Sequence, residues 1–258
     1  MDREQRLVFG EDAELYDRAR PNYPSDLIDD VVQLIGSAAR VVDAGCGTGK
    51  ATVMLAARGI HGVGLEPRPE MAAIARRHLE GSSGWRIDIT GFEDWTPAAK
   101  DLPFDAVVSA QAWHWFKPDV RFQKAHTLLL PGGWLALWWN APRPFDNSIR
   151  RAIDKAYTTH APEIVYRGIS GHGWPSLDPL PAPDMFRQPI ERHYTWTANY
   201  TSAEWTDLLQ THSDHRMLPR DRREVLLDAV RDAIDANGGS YEHPYVCSLW
   251  AAQRSRPD

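Results

Sequence analysis

Apolar positions along residues 25–140 follow two alternating rhythms. Compact runs rich in β-branched and aromatic residues start at Arg40, where Val41 and Val42 lead into a glycine turn, and stand at 61–67, 85–89, 104–111 and 130–140. Between them lie stripes at helical spacing, such as Ile28, Val31, Val32 and Ile35, or Met71, Ile74, Ala75 and His78. Near-continuous apolar strands imply burial on both faces, so the alternation predicts a parallel sheet with right-handed crossovers. Ser25 is the expected cap of the first of these helices and Gly36 its stop.

Residues 141–240 break that rhythm. Ile149, Ile153, Ala156 and Tyr157 mark one helix; Trp205, Leu208 and Leu209 mark a second, capped by Thr201 or Ser202. Leu226, Ala229, Val230, Ala233 and Ile234 mark a third, which Gly238 and Gly239 end. Residues 190–197 and 245–252 read as a sixth and a seventh strand. The stretch 168–184, rich in Gly, Pro and Asp without period, predicts a loop or lid near a site. No repeat or linker divides the chain, so one domain over 1–258 is expected, with 141–240 as a partly inserted lid or substrate region.

Composition narrows the function classes. Hydrophobic residues make up 43% and charged residues 25% of 258, which excludes global disorder and allows a sizeable core. A net charge of −6 gives no basic footprint for a phosphate backbone, so no nucleic acid partner is expected. Two cysteines, Cys46 and Cys247, support neither a disulfide framework nor a cysteine zinc site, and a cytoplasmic location is the expectation. The charged start and the lack of any long apolar run predict no membrane segment.

The densest chemistry lies between the first strand and the helix after it, in Asp43-Ala44-Gly45-Cys46-Gly47-Thr48-Gly49-Lys50. Three glycines permit positive φ and let a ligand approach main-chain N–H groups, to which the helix start adds its own unpaired donors. A dinucleotide loop of the form G-x-G-x-x-G rests a pyrophosphate on the helix N-terminus. Here the third glycine comes one residue early, Lys50 takes the sixth place, and Asp43 would repel a pyrophosphate while accepting hydrogen bonds from an ammonium. Glu66 closes the second apolar run, where a carboxylate can accept two ribose hydroxyls.

The pattern D-x-G-x-G-x-G followed by Glu66 resembles the first two motifs of class I S-adenosylmethionine-dependent methyltransferases. Other segments resemble the small-molecule, type 11 or trans-aconitate methyltransferase-like group of that family. Phe9, Ala13 and Tyr16 with Arg20-Pro21-Asn22-Tyr23-Pro24 are similar to its lead segment, and Gln111-Ala112-Trp113-His114-Trp115-Phe116, entered from Ser109, to its S-x-x-x-x-H-W signature. Leu129 to Gly133 match L-x-P-G-G, the turn by which that group enters its fifth strand. Gly91-Phe92-Glu93-Asp94-Trp95 matches G-x-A-E-x-L only in part, since Phe92 and Trp95 depart from it.

The resemblance covers 1–140 in order and 186–254 more loosely. It implies an α/β Rossmann-like, seven-stranded, mostly parallel sheet with helices on both faces and an antiparallel last strand. It also implies S-adenosyl-L-methionine as cofactor and a small-molecule methyl acceptor, taken here to react at a hydroxyl or carboxylate oxygen, in a monomer or homodimer. Cofactor contacts are expected from Asp43, Gly45, Cys46, Gly47, Thr48, Glu66, Pro67, Phe92, Glu93, Ala110 and Gln111. Tyr16 and Arg20, in a strap over 1–24, are expected to close on the methionine part or on a substrate acid. Trp113, His114, Trp115 and Trp139 form the expected acceptor wall. His114 is the candidate catalytic base, set beside the reading that it orients the tryptophans or the substrate. His212 and His215 lack a nearby Cys or an H-E-x-x-H context, so no metal is expected. The rival readings are an NAD(P)-dependent oxidoreductase and a non-catalytic cofactor-binding protein.

Overall fold

The computed structural model describes residues 12–164 and 184–255. Phe9 and the expected lid at 168–184, save its last residue, lie outside the described residues. In chain order the elements are α1 (Ala13–Ala19), α2 (Ser25–Ile35), β1 (Arg40–Ala44), α3 (Lys50–Ala56), β2 (His61–Leu65), α4 (Pro69–His78), β3 (Trp85–Asp88), β4 (Phe104–Ala110), α5 (Pro118–Leu128) and β5 (Leu129–Pro142). Then come α6 (Ser148–His160), β6 (Ile190–Thr201), α7 (Ser202–Gln210), α8 (Ser213–Arg216), α9 (Arg220–Asp235) and β7 (Ser240–Gln253).

The seven strands form one sheet in the order β3-β2-β1-β4-β5-β7-β6. Parallel pairing joins β3 to β2, β2 to β1, β1 to β4 and β4 to β5, with Asp43 opposite Gly64 on one side and Val108 on the other. The last two strands run the other way. Gly132 and Gly133 bond to Arg254 while Arg143 bonds to Pro244, which makes β7 antiparallel to β5. Tyr200 meets Tyr245 and His193 meets Ser248, so β6 is antiparallel to β7. The reversal of order at β1 leaves the carboxyl ends of β2, β1 and β4 side by side, the usual place for a ligand in such sheets.

The chain gathers into two compact units. In the unit of residues 22–140, 184–194 and 247–255, Leu27, Ile28 and Val31 of α2 pack with Val41, Val108, Ala136, Trp138 and Leu249, all at most 1% exposed. Each such aliphatic side chain contributes about 1.5–3 kcal/mol when fully buried, so the α2 stripe anchors the start of β1. A second cluster joins Cys46 to Ala72, Ala75, Leu79 and Ile87. The other unit, residues 12–21, 141–164 and 195–246, has its own core of Ile153, Tyr157, Trp205, Leu209, Leu226, Val230, Ile234 and Tyr241.

Several local expectations are corrected. Ser25 does not cap α2: the N-cap is Pro24, and the Ser25 hydroxyl instead accepts from Arg58 Nη2 at 2.7 Å. The Leu-Pro-Gly-Gly turn before the fifth strand is not a turn but a bulge within it. β5 starts at Leu129, the β4–β5 register shifts between Phe104 and Ala106, and a Cβ on Gly133 would stand 2.9 Å from the Asp105 carbonyl. Of the two caps proposed for α7, Thr201 is the one used, in a full capping box with Glu204. The glycine pair ends α9 as expected: Gly238 donates to the Asp235 carbonyl and Gly239 to the Ile234 carbonyl, both at positive φ.

Candidate active site

The glycine turn adopts the backbone its composition requires, with φ of +74°, +60° and +85° at Gly45, Gly47 and Gly49. At Gly45 the demand is also spatial: a Cβ there would lie 2.5 Å from Ala112 Cβ and 3.3 Å from Phe116 Cζ. The segment after β4 is thereby pressed against the turn.

The expectation that the turn offers its N–H groups to a ligand is corrected for four of them. Gly45 and Cys46 both donate to the Leu65 carbonyl at 3.0 Å, Gly47 donates to Glu66 Oε2 at 3.1 Å, and Gly49 donates to the Cys46 carbonyl. The turn wraps the end of β2, which takes up these four donors with Glu66 and Cys46. Its glycines serve curvature and close approach.

Unsatisfied acceptors stand at the rim instead. Asp43 is fully buried; its Oδ2 accepts from Thr52 Oγ1 at 2.6 Å, and its Oδ1 has no partner. Burial, joined by the charge of Glu66 and opposed by the Thr52 bond, pushes the Asp43 carboxyl up to about 7. Thr48, 2% exposed, has an unpartnered Oγ1, and Gln111 an unpartnered buried Oε1. Gln111 also holds φ at +59°, a conformation that costs a non-glycine residue about 1–2 kcal/mol and is found where surrounding structure imposes it. Its N–H donates to the Trp138 carbonyl and its Nε2 to the Asn140 carbonyl, pinning the side chain.

Glu66 is 7% exposed, with Oε1 accepting from the Arg68 N–H at 2.9 Å and Oε2 from Gly47. A carboxylate oxygen has two lone pairs and can accept from more than one donor. Pro67 is exposed beside it, and Ala110 is half-buried at the end of β4. The Cys46 side chain points into the cluster with Ile87, and burial pushes its thiol up, so it is an inert packing group.

The aromatic residues divide into two sets. Phe92 and Trp113, at 1% and 0% exposure, are enclosed by protein: they pack with each other at 5.8 Å and both pack on Phe116. Phe116, on which both rings pack, is also the ring that a Cβ on Gly45 would meet. Glu93 is half-buried, and its Oε1 accepts from the Lys117 N–H. His114 and Trp115 are half-buried, with ring centroids 4.9 Å apart, and the 4% exposed Trp139 donates its Nε1–H to His114 Nδ1 at 3.3 Å. An indole nitrogen only donates, so Nδ1 is the acceptor and the neutral imidazole carries its proton on Nε2.

Tyr16 and Arg20 belong to the other unit. There the Arg20 guanidinium lies 5.2 Å from the Tyr16 ring centroid and donates to the Thr211 carbonyl at 2.9 Å. The sequence reading missed Thr52, Ser109, whose hydroxyl donates to the Ala44 carbonyl at 2.7 Å, and Asn140, whose Nδ2 donates to the Asn22 carbonyl. Asn140 had a legible signal, a lone amide closing the apolar run Leu135 to Trp139.

A doubly wound sheet with buried acceptors at the ends of β2, β1 and β4 defines a protein that binds a nucleoside-bearing cofactor at its strand ends. Comparison with known proteins names the family. A model described as a methyltransferase domain matches residues 41–133. An uncharacterized methyltransferase of Mycobacterium tuberculosis is 33% identical over 250 residues, spanning 95% of this chain and 94% of that one. A trans-aconitate 2-methyltransferase of Streptomyces avermitilis is 35% identical over 142 residues, 53% of this chain and 50% of that one. A solved chain from Anaeromyxobacter dehalogenans, described as a candidate type II methyltransferase, has the same fold, with a TM-score of 0.61 at 21% identity over 92% of this chain and 99% of that one. The chain belongs to the S-adenosylmethionine-dependent class I methyltransferases. That membership displaces the nicotinamide and non-catalytic readings. Among the described residues no helix is long and apolar enough to cross a membrane.

The strand-end residues fit the cofactor. Three buried oxygens without donors, on Asp43, Thr48 and Gln111, each cost about 1–3 kcal/mol in the protein alone, and a ligand carrying an ammonium and hydroxyls relieves that cost.

Proposed function

We propose that this methyltransferase methylates an oxygen of a small organic acid, with a carboxylate as the nucleophile and a methyl ester as the product. The observation that carries the proposal is the Trp139 hydrogen bond to His114 Nδ1. With that lone pair engaged and the proton on Nε2, the imidazole cannot accept a proton without breaking the bond. An alcohol or ammonium acceptor needs deprotonation, whereas a carboxylate is already an anion at neutral pH. His114 then orients the acceptor through a hydrogen bond and does not act as a base. The name of the Streptomyces relative, which matches half of the chain, agrees with an acid acceptor.

Bound S-adenosylmethionine supplies an electrophilic methyl group on a sulfonium that departs as a neutral thioether. The chain's contribution in this reading is alignment. Asp43 holds the amino group, Glu66 the sugar hydroxyls, and the Gly45–Ala112 contact fixes the spacing between turn and post-β4 segment. Holding two reactants in attacking geometry can lower a barrier by about 7–11 kcal/mol, against the factor of about 10²–10⁴ from a general base. Trp115 and Trp139 add an aromatic surface that favours positive charge by about 0.5–2 kcal/mol.

The test is a panel of mono-, di- and tricarboxylic acids, alcohols and amines incubated with S-adenosylmethionine, with products read by mass spectrometry. The expected product is 14 mass units heavier and is cleaved by mild alkali, as an ester is. His114→Gln, which keeps a donor near Nε2, should hold kcat within about ten-fold, below the loss of about a hundred-fold or more that removal of a general base brings. Methylation confined to amines or alcohols, or a loss of kcat of about a thousand-fold in His114→Gln, would overturn the proposal.

A further inference from the structure

In the unit of residues 12–21, 141–164 and 195–246, the segment around α8 holds a cluster that methyl transfer does not use. We infer that His212, Asp214 and His215 form a binding site for one divalent transition ion, with Zn²⁺ the best match. One ligand atom from each residue, two imidazole nitrogens and a carboxylate oxygen, can be chosen so that all lie within 4.8 Å of one another. Around a tetrahedral zinc with bonds of about 2.0–2.2 Å, ligand atoms stand about 3.3–3.6 Å apart, so small side-chain rotations complete the site.

The cluster is also braced as metal sites are. His215, 1% exposed, is fixed on both sides: Nδ1 lies 2.8 Å from Asp214 Oδ1, and Nε2 lies 2.6 Å from the Tyr157 hydroxyl on α6. Asp214 Oδ1 also accepts the His215 backbone N–H at 2.8 Å, which holds the carboxylate against the ring. The His212 ring stands perpendicular to that of His215, with centroids 5.6 Å apart. An ion entering between Nδ1 and Oδ1 displaces the shared proton. That proton moves to Nε2, from which the N–H donates to the Tyr157 oxygen, so the ring stays neutral and no net proton is lost. Tyr157 thereby becomes the outer partner that metal-bound histidines ordinarily have.

Two imidazoles with one carboxylate suit zinc or its neighbours and not calcium or magnesium, which take oxygen ligands. The Arg20 charge opposes binding, since Arg20 donates to the carbonyl of Thr211, the residue before His212. Its presence sets the expected affinity in the micromolar range.

The test uses the full chain without a histidine tag, stripped with chelator and titrated with zinc chloride by calorimetry, alongside elemental analysis after dialysis. One equivalent of zinc should bind, and His212→Ala and Asp214→Asn should each weaken it ten-fold or more while circular dichroism and S-adenosylhomocysteine binding stay unchanged. Cobalt(II) should give the intense visible bands of a tetrahedral ion in the wild type, a readout that holds even if a variant misfolds. No binding at tens of micromolar zinc, equal binding by both folded variants, or the pale spectrum of octahedral cobalt would each overturn the inference. Because methyl transfer is not measured, the result is independent of the acceptor proposal.

Discussion

Asp43 gives a quantitative test of the cofactor's position. Its carboxyl is pushed up to about 7, chiefly by burial, with the charge of Glu66 adding to the shift and the Thr52 hydroxyl working against it. A bound ammonium selects the ionised form, so affinity should follow the fraction ionised in the free protein. With a midpoint near 7, that fraction rises from about one tenth at pH 6 to about nine tenths at pH 8, a gain of about ten-fold in affinity or about 1.4 kcal/mol. Isothermal titration with S-adenosylhomocysteine at pH 6, 7 and 8, in buffers of different protonation enthalpy, should show this gain. It should also show release of nearly one proton per site at pH 6. Asp43→Asn should bind more weakly and with a flat profile. The stability sign runs the other way in the free protein: a raised folded pKa gives stability that is full below about 4 and declines as pH rises toward 7, so the ligand should stabilise most at high pH. An affinity that is level from pH 6 to pH 8, or a slope that survives in Asp43→Asn, would refute the pairing.

Three further outcomes follow from single contacts. Gly45→Ala combines φ of +74° with a Cβ 2.5 Å from Ala112, so urea unfolding should show a loss of about 2–4 kcal/mol together with weakened S-adenosylhomocysteine binding; wild-type stability would contradict the close approach. Thr201→Ala should cost about 1 kcal/mol through the lost cap, while Ser202→Ala should stay within about 0.5 kcal/mol, both read from denaturant midpoints. Burial, with Arg150 adding to it, holds the His243 imidazole down at about 3; stability present above about 6.5 should therefore fall as pH drops from there toward 3, by about 1.4 kcal/mol per pH unit from this group. His243→Gln should flatten the acid limb by that amount, and an unchanged slope would count against the assignment.

Residues adjacent along the chain were readable because their message is local. Periodicity reports which face of an element is buried, and glycine reports where the backbone takes positive φ. The strands of the sheet, the turn at Gly45, Gly47 and Gly49, and the acids at Asp43 and Glu66 were therefore all legible before any coordinates. So was the family, since its motifs are contiguous. The bulge at Gly132 and Gly133 was misread as a turn, because a proline and two glycines look alike in either setting and only the partner strand decides.

The partners of those residues were fixed only by folding. His114 and Trp139 lie 25 positions apart, and they meet because β4 and β5 are neighbours in the sheet. Asn140 and Asn22, 118 positions apart, and Tyr157 and His215 likewise meet only in the folded chain. Phe92 and Trp113 looked from their position like ligand contacts, and tertiary packing enclosed their rings. The sequence alone determined which atoms could do chemistry. The three-dimensional packing decided which lone pairs were already engaged, since hydrogen bonds are saturable and long-range neighbours use them first.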